Sequence, residues 1–214
     1  MKDIYRTIYD YGEDEIIINK SRFIGYARPI SCEEEALDFI KEIKTKHKDA
    51  THNVYAYVCG EESNLQRFND DGEPSGTAGI PALEVIKKED LRNVAVVVTR
   101  YFGGVKLGGG GLIRAYTKGA KIALDAGKIV EMIIHTKLRI IIPYTLLGKL
   151  ENFLNSSGYQ IEDTLYNENV ELDIYIKNTL IDDFKKKILD ITNGTVEIKY
   201  YDEKHLPLYN GKRI

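Results

Sequence analysis

The sequence predicts an α+β protein with two domains. At 214 residues the chain is longer than one typical domain. Strand and helix patterns run through the first part of the chain and then restart near Lys137 as a second, self-contained series. Hydrophobic residues make up 43% of the chain and charged residues 29%, which is enough apolar material for two cores. We therefore expect one domain over residues 1–136 and another over residues 137–214.

The first domain begins with strand patterns and a helix. Residues 15–30 alternate or run apolar around a polar break and predict two strands. Ser31 and Glu34 have the spacing of a capping box, which predicts that Ser31 begins a helix reaching about His47. Residues 54–58 predict a third strand.

The later part of this domain combines a buried strand with two helices. Residues 94–101 contain an unbroken Val-Ala-Val-Val-Val run, which indicates a strand buried on both faces. Between residues 58 and 94, Thr77 is placed to cap a short helix ending near residue 87. A further helix is expected to begin near Leu112 and to end at Gly127.

The second domain shows one recognisable order. Strands are predicted over residues 138–142, 159–166, 170–176 and 196–201, and helices over residues 144–156 and 180–191. The order βαββαβ is that of the ferredoxin-like unit. Residues 205–214 are expected to form a loose tail.

A glycine-rich segment is the clearest functional signal. Six of the 18 glycines fall within residues 103–111, and ordering glycine costs about 0.5–1 kcal/mol more than ordering alanine. Positive φ angles, bare N–H groups and a following helix N-terminus together favour binding of an anion. The spacing matches neither a P-loop nor a dinucleotide fingerprint. The alternative is a glycine-lined crossover packed tightly against the sheet.

Local charge supports anion binding. The net charge is −3, so the chain has no global basic bias. Residues 91–124 nevertheless contain six cations and no Asp or Glu: Arg92, Arg100, Lys106, Arg114, Lys118 and Lys121.

Residues 69–79 contain three carboxylates, Asp70, Asp71 and Glu73. Such a group could hold Mg²⁺ or act in acid–base catalysis. Alternatively, the segment forms two tight turns whose carboxylates pair with Arg100 or Arg114.

Other residues give weaker signals. Ser75 does not fit the nucleophile elbow, because position 73 is Glu and not Gly. His52 is a candidate only through its neighbourhood, since the four histidines show no metal-ligand spacing. The two cysteines form no CxxC pair. We expect no catalytic residue, metal or cofactor.

The chain offers no apolar run of about 18 residues and no hydrophobic segment close to its start. We therefore expect a cytoplasmic protein that neither enters nor crosses a membrane.

Several segments together resemble the signature of the YigZ/IMPACT family. They are Asn-Asp-Asp-Gly-Glu-Pro-Ser-Gly-Thr-Ala-Gly-Ile-Pro at residues 69–81, Val-Val-Val-Thr-Arg-Tyr-Phe-Gly-Gly at 96–104, and Leu-Gly-Gly-Gly-Gly-Leu-Ile-Arg-Ala-Tyr at 107–116. Ser-Arg-Phe at 21–23 and His-Asn-Val-Tyr-Ala-Tyr at 52–57 also fit. The resemblance covers most of residues 15–130.

This resemblance implies a ribosomal protein S5 domain 2-like fold for the first domain, whose relatives include elongation factor domains and small-molecule kinases. It implies a second domain similar to the ferredoxin-like fifth domain of elongation factor G. Eukaryotic members of the family regulate translation.

Together these observations predict a non-catalytic, translation-associated protein that binds RNA, the ribosome or another anionic partner, including a protein of the translation machinery. Its expected binding residues are Arg100, Gly103, Gly104, Lys106, Gly108, Gly109, Gly110, Gly111, Arg114 and Lys118. Its expected supporting residues are His52, Asp70, Asp71, Glu73, Ser75 and Thr77. Two alternatives remain open. One is a phosphate- or nucleotide-binding enzyme or small-ligand protein that uses the glycines and carboxylates. The other is a regulatory module that docks a protein through backbone groups and Phe102.

Overall fold

The computed structural model describes residues 3–60 and 63–214. It divides the chain into two compact units. The first contains the residues up to Met132 together with Pro207–Ile214, and the second contains Ile133–Leu206. The predicted α+β class with two domains is confirmed. That the chain forms separate domains with a boundary after residue 136 stays a prediction.

The first unit is built on a five-stranded antiparallel sheet. Its strands and helices are β1 (Ile4–Ile8), β2 (Gly12–Ile18), β3 (Ser21–Pro29), α1 (Glu33–Lys46), β4 (His52–Cys59), β5 (Leu65–Asn69), α2 (Gly79–Lys88), β6 (Val94–Tyr101) and α3 (Gly108–Ala126). The strand order in the sheet is β2-β3-β6-β4-β5. The central strand β6 pairs antiparallel with both β3 and β4.

Both faces of this sheet are covered by helices. Val96 and Val98 of β6 belong to an apolar cluster with α2 and α3. Ala95 and Val97 belong to a second cluster with α1. Because successive side chains of a strand point to opposite faces, a strand between two helical layers needs apolar residues at every position. The prediction that this strand is buried on both faces is confirmed.

Helix α3 packs unusually close to the sheet. A Cβ atom on Gly25 of β3 would lie 2.1 Å from the carbonyl oxygen of Gly119 in α3. Only glycine at position 25 allows this approach, so the backbones of β3 and α3 are held together directly.

The start of α2 depends on Asp70, which follows β5. Its Oδ1 accepts hydrogen bonds from the backbone N–H groups of Ala78 (3.1 Å) and Gly79 (2.7 Å), and its Oδ2 accepts one from Gly76 (2.9 Å). The prediction that Thr77 caps this helix is wrong, because its hydroxyl donates instead to the carbonyl oxygen of Pro74. The carboxylate of Asp70 thus caps α2, in place of the hydroxyl of Thr77, although Asp70 lies nine residues before Gly79 in the sequence.

The predicted cap of α1 is also wrong. The helix begins at Glu33, and the residue before it, Cys32, makes no capping hydrogen bond through its side chain. The backbone N–H of Ser31 donates to Glu35 Oε2 at 2.6 Å. The carboxylate that accepts this hydrogen bond therefore belongs to Glu35, and not to Glu34 as the capping box predicts.

The second unit has the predicted ferredoxin-like order. Its elements are β7 (Ile129–Ile142), α4 (Leu147–Ser156), β8 (Ile161–Tyr166), β9 (Val170–Lys177), α5 (Ile181–Thr192) and β10 (Glu197–Tyr209). The strand order is β10-β7-β9-β8. Leu150 and Phe184 are among the helix residues that pack on the sheet in one apolar cluster. Both β7 and β10 also contribute residues to the first unit.

The other face of this sheet is held by ion pairs around Asp173 of β9, which is 3% exposed. Arg139 of β7 donates to both carboxylate oxygens of Asp173, at 2.6 and 2.9 Å. Lys137 lies 2.9 Å from Oδ2. The hydrogen bond from Arg139 is the main cause that holds the pKa of Asp173 below its ordinary value.

The prediction of a loose tail from residue 205 is wrong. Strand β10 continues to Tyr209, and β11 (Lys212–Arg213) turns back to pair with it. Leu208 is 2% exposed. Strand pairing therefore orders these residues.

Replacing Asp70 with Ala should lower the free energy of unfolding by about 1–3 kcal/mol, because three backbone N–H groups lose their acceptor. Thr77→Ala should cost much less, since Thr77 does not cap the helix. Urea unfolding followed by circular dichroism compares the two variants. Equal losses would contradict the assignment of Asp70 as the cap.

Asp173→Asn should lower the thermal stability at pH 7, because Arg139 and Lys137 lose a carboxylate partner. The pKa of Asp173 is depressed in the folded state, so its stabilising effect is present above the unfolded pKa of about 3.9 and is lost as pH falls through the lower folded value. The melting-temperature difference from the native protein should therefore be full at pH 7 and shrink below pH 4. Asp163→Asn, at an exposed position of β8, is the control. A difference that does not change with pH would contradict this explanation.

Candidate functional site

The glycine-rich segment forms the end of a loop and the first turn of α3. The helix begins at Gly108, four residues earlier than the expected start near Leu112. Leu107 occupies the cap position and makes no capping hydrogen bond through its side chain. The first N–H groups of a helix have no partner within it, and they carry the positive end of the helix dipole. No side chain at the cap position competes for these groups.

Part of the glycine content has a structural reason. Gly104 and Gly108 have φ angles of +83° and +67°, where side chains are disfavoured. A Cβ on Gly103 would lie 2.0 Å from the backbone of Lys20, and one on Gly111 would lie 3.0 Å from Leu107 Cβ. These positions fit the alternative of tight structural packing.

Gly109 and Gly110 have no such reason. Neither has a positive φ angle, and a Cβ at Gly110 would meet no atom within 4 Å. The nearest atom to a Cβ at Gly109 would be Thr77 Cγ2, at the ordinary contact distance of 3.9 Å. Alanine is the better helix former by about 1 kcal/mol. The structure of the chain itself therefore does not explain these two glycines.

A cavity of about 390 Å³ opens beside this turn. Its lining comes from the start of β4, the turn before α2, the end of β6 and the start of α3. The lining residues are Thr51, His52, Glu73, Pro74, Arg100, Phe102, Lys106, Leu107, Gly108, Gly109 and Leu112. The cavity thus brings together six of the predicted residues: His52, Glu73, Arg100, Lys106, Gly108 and Gly109.

Glu73 is the buried centre of this site, with 3% of its side chain exposed. Its Oε1 accepts hydrogen bonds from Arg100 Nη1 and from the hydroxyl of Tyr116, each at 2.6 Å. Burial raises the pKa of Tyr116 far above its ordinary value, and the hydrogen bond to Glu73 raises it further. The phenol therefore stays protonated and acts as a donor.

Arg100 is 5% exposed and lies close to two aromatic rings. Its guanidinium carbon is 5.4 Å from the centroid of Phe23 and 5.3 Å from that of Phe102. Its Nε has no hydrogen-bond acceptor among the residues that the structure describes. A buried donor without an acceptor costs about 1–3 kcal/mol.

His52 presents one ring nitrogen towards Glu73. Its Nδ1 lies 2.7 Å from the carbonyl oxygen of Asp71. A carbonyl oxygen can only accept, so Nδ1 carries a proton and donates it. Nε2 lies 3.8 Å from Glu73 Oε1. In the neutral ring Nε2 is therefore a hydrogen-bond acceptor at the cavity wall.

The remaining supporting residues are placed outside the cavity lining. Asp70 binds the start of α2, and Thr77 donates to Pro74. Asp71 accepts from Lys44 Nζ and from the backbone N–H of Asn53, both at 2.6 Å. Ser75 is exposed. Across residues 3–60 and 63–214, no three His, Cys, Asp or Glu side chains gather in a way that could hold a metal ion.

The six cations of residues 91–124 separate into different environments. Arg92 and Arg100 are buried, and Lys121 lies within ion-pair distance of Glu89 and Asp125. The other three, Lys106, Arg114 and Lys118, are exposed. Within the described part of the chain these three form no ion pair. Arg114 and Lys118 are four residues apart on α3, so they lie on the same helix face.

Tyr116 belongs to the site although it is not among the predicted site residues. It lies within the helix predicted from about Leu112 to Gly127, and its side chain is fully buried. A tyrosine at a core position usually requires a hydrogen-bond partner, and this was the signal that could have pointed to Glu73.

Comparison with known proteins supports the two-part organisation. The Impact N-terminal domain family matches residues 19–124, and a domain of unknown function (DUF1949) matches residues 140–195. A crystal structure of a hypothetical protein superposes with a TM-score of 0.59 at 28% identity, covering 94% of this chain and 99% of that one. Among the described residues, no helix is both long enough and apolar enough to cross a membrane.

Two bacterial relatives are similar over nearly their whole length. The IMPACT family member YvyE of Bacillus subtilis is 47% identical, covering 91% of this chain and 90% of the relative. The IMPACT family member YigZ of Escherichia coli is 31% identical, covering 87% of this chain and 92% of the relative. The resemblance seen in the sequence motifs is confirmed, and the chain belongs to the IMPACT family.

Proposed function

We propose that this protein is a non-catalytic, translation-associated binding protein that contacts RNA or the ribosome through the first turn of α3 and the cations around it. The observation that carries this proposal is the environment of Lys106, Arg114 and Lys118. These side chains are exposed and form no ion pair within residues 3–60 and 63–214. They are therefore available to an external anion.

The position of these cations favours an extended anionic partner. Lys106 lies at the N-terminal end of α3, and Arg114 and Lys118 lie one and two turns further along the helix than Gly110. A phosphate backbone can contact several cations along such a path. Each contact releases condensed counterions, which makes binding salt-dependent.

The helix N-terminus adds donors of a different kind. The N–H groups of the first turn of α3 have no capping side chain at Leu107. Backbone N–H groups at a helix N-terminus bind phosphate oxygens without reading sequence. The surface therefore fits an RNA backbone better than a particular base sequence.

The link to translation rests on the family. Eukaryotic members of the YigZ/IMPACT family regulate translation, and both domain folds implied by the resemblance occur in ribosomal proteins or elongation factors. These similarities support a partner within the translation machinery, in the cytoplasm.

A small-ligand or nucleotide-binding role is the second candidate, and the cavity beside α3 favours it. Its volume of about 390 Å³ is within the range of small-molecule sites. A carboxylate-bound metal fits less well, because the oxygens of Asp70 and Asp71 are already bonded to backbone N–H groups and Lys44.

The proposal predicts that Lys106→Ala/Arg114→Ala weakens binding to ribosomes and to free ribosomal RNA. Co-sedimentation across a salt series measures the effect. Each lost phosphate contact should reduce the slope of log K against log salt concentration by about 0.7–0.9, so the double variant should lose about 1.5.

The matched control is Lys41→Ala/Lys48→Ala, which removes the same charge from exposed positions at α1 and just beyond it. Helix α1 packs on the opposite face of the sheet from α3. The control should bind as the native protein does. Equal weakening of RNA binding in both double variants would mean that net charge, and not this surface, drives binding. If the native protein binds neither ribosomes nor ribosomal RNA even at low salt, the RNA proposal is refuted.

A further inference from the structure

The proposed RNA contacts to Lys106, Arg114 and Lys118 do not explain the cavity beside the first turn of α3. Only 7% of the Arg100 side chain is exposed. An internal phosphate of RNA has a nucleoside attached on each side and two free oxygens, whereas a terminal phosphate has one attachment and three free oxygens. A terminal phosphate or a small molecule therefore enters a cavity more easily than an internal phosphate does.

Charged and polar side chains line the cavity. Arg100 is one of them, with its Nη1 bonded to Glu73 and its Nε buried without an acceptor among the described residues. His52 Nε2 is an acceptor in the neutral ring, because Nδ1 donates to Asp71. Lys106 lies at the rim and is exposed. The site therefore has two cationic side chains for an anionic group, and the neutral form of His52 adds an acceptor for a hydroxyl group.

The wall formed by Gly109 allows an occupant to approach the helix backbone. Gly109 lines the cavity and needs neither its φ angle nor its lack of a side chain for packing. A bare backbone at the first turn of a helix is what a phosphate group requires for close contact with N–H groups. The unexplained Gly109 and the mostly buried Arg100 thus line the same cavity.

We propose that this cavity binds a phosphate monoester, either the terminal phosphate of an RNA chain or that of a free nucleotide. A monoester carries a charge of about −1.5 to −2 at pH 7, more than the single charge of an internal phosphodiester. Arg100, Lys106 and the α3 N-terminus supply positive charge, and Glu73 already accepts bonds from Arg100 and Tyr116. Phe102, which is 46% exposed at the rim, offers an apolar face to the attached base or sugar. Where the phosphate belongs to an RNA chain, this inference rests on the proposed function, because the exposed cations would hold the rest of the RNA.

The test uses the full chain and RNA oligonucleotides of one sequence with a 5′-phosphate, a 3′-phosphate or only hydroxyl ends. Fluorescence anisotropy measures their affinities at fixed salt. A mononucleotide and the corresponding nucleoside are compared in parallel by thermal shift. We expect one phosphorylated end to bind at least tenfold more tightly than the hydroxyl-ended chain.

Gly109→Ala and Gly110→Ala form a matched pair. Both add one methyl group to the first turn of α3, but only Gly109 lines the cavity. Because alanine favours helix, neither variant should melt at a lower temperature than the native protein. Gly109→Ala should abolish the preference for the phosphorylated end. Gly110→Ala should keep the ratio of the affinities for phosphorylated and hydroxyl-ended RNA, whatever its effect on the total affinity for RNA.

The outcomes separate this inference from the proposed function. Equal binding of phosphorylated and hydroxyl-ended RNA, with no thermal shift from the mononucleotide, would overturn the monoester site and leave RNA binding standing. A shift from the mononucleotide alone, lost in Gly109→Ala, would support the site with a free nucleotide as its source while refuting RNA as the partner. If neither RNA nor mononucleotide binds, both proposals fail.

Discussion

The buried pair between Glu73 and Arg100 is the interaction on which the candidate site depends. It joins the turn before α2 to the end of β6, and the hydroxyl of Tyr116 brings α3 to the same carboxylate oxygen. Removing one partner of a buried ion pair leaves an uncompensated charge, at a cost of about 3–5 kcal/mol. These three segments form most of the cavity wall, so its shape follows from the pair.

Stability alone does not account for charges at this position. Replacing a buried ion pair by apolar residues of similar volume is often neutral or stabilising. Arg100 also keeps an Nε without an acceptor, which is a further cost. What the charged arrangement provides, and apolar residues could not, is a set of donors held rigidly at a cavity. A fixed guanidinium needs little reorganisation when an anion arrives, and this favours recognition over packing as the reason for its presence.

Most of the fold could be predicted from the sequence because its signals are local and periodic. The valine run of β6 indicated two covered faces, and the order of patterns after Lys137 indicated the ferredoxin-like unit. The errors concern contacts between residues distant in sequence. Thr77 is adjacent to α2 and chemically suited to cap it, but the turn brings Asp70 closer to the free N–H groups. The predicted start of α3 near Leu112 is too late because glycine is a poor helix former and residues 108–111 are all glycine. Tertiary packing, including the close approach to Gly25, stabilises the helix despite these glycines.

For the site, the sequence showed the charges but not their environments. The sequence does not distinguish buried from exposed cations among the six of residues 91–124. In the structure Arg100 is buried, whereas Lys106, Arg114 and Lys118 are exposed. Salt distinguishes these two sets, because exposed charges are screened beyond about 8–10 Å at ordinary ionic strength and buried ones much less. Affinity contributed by the exposed cations should therefore fall as salt is added, whereas affinity contributed by the Arg100 cavity should persist. The two proposals therefore differ in the salt dependence that they predict, with Lys106 contributing to both because it is exposed and also lines the cavity.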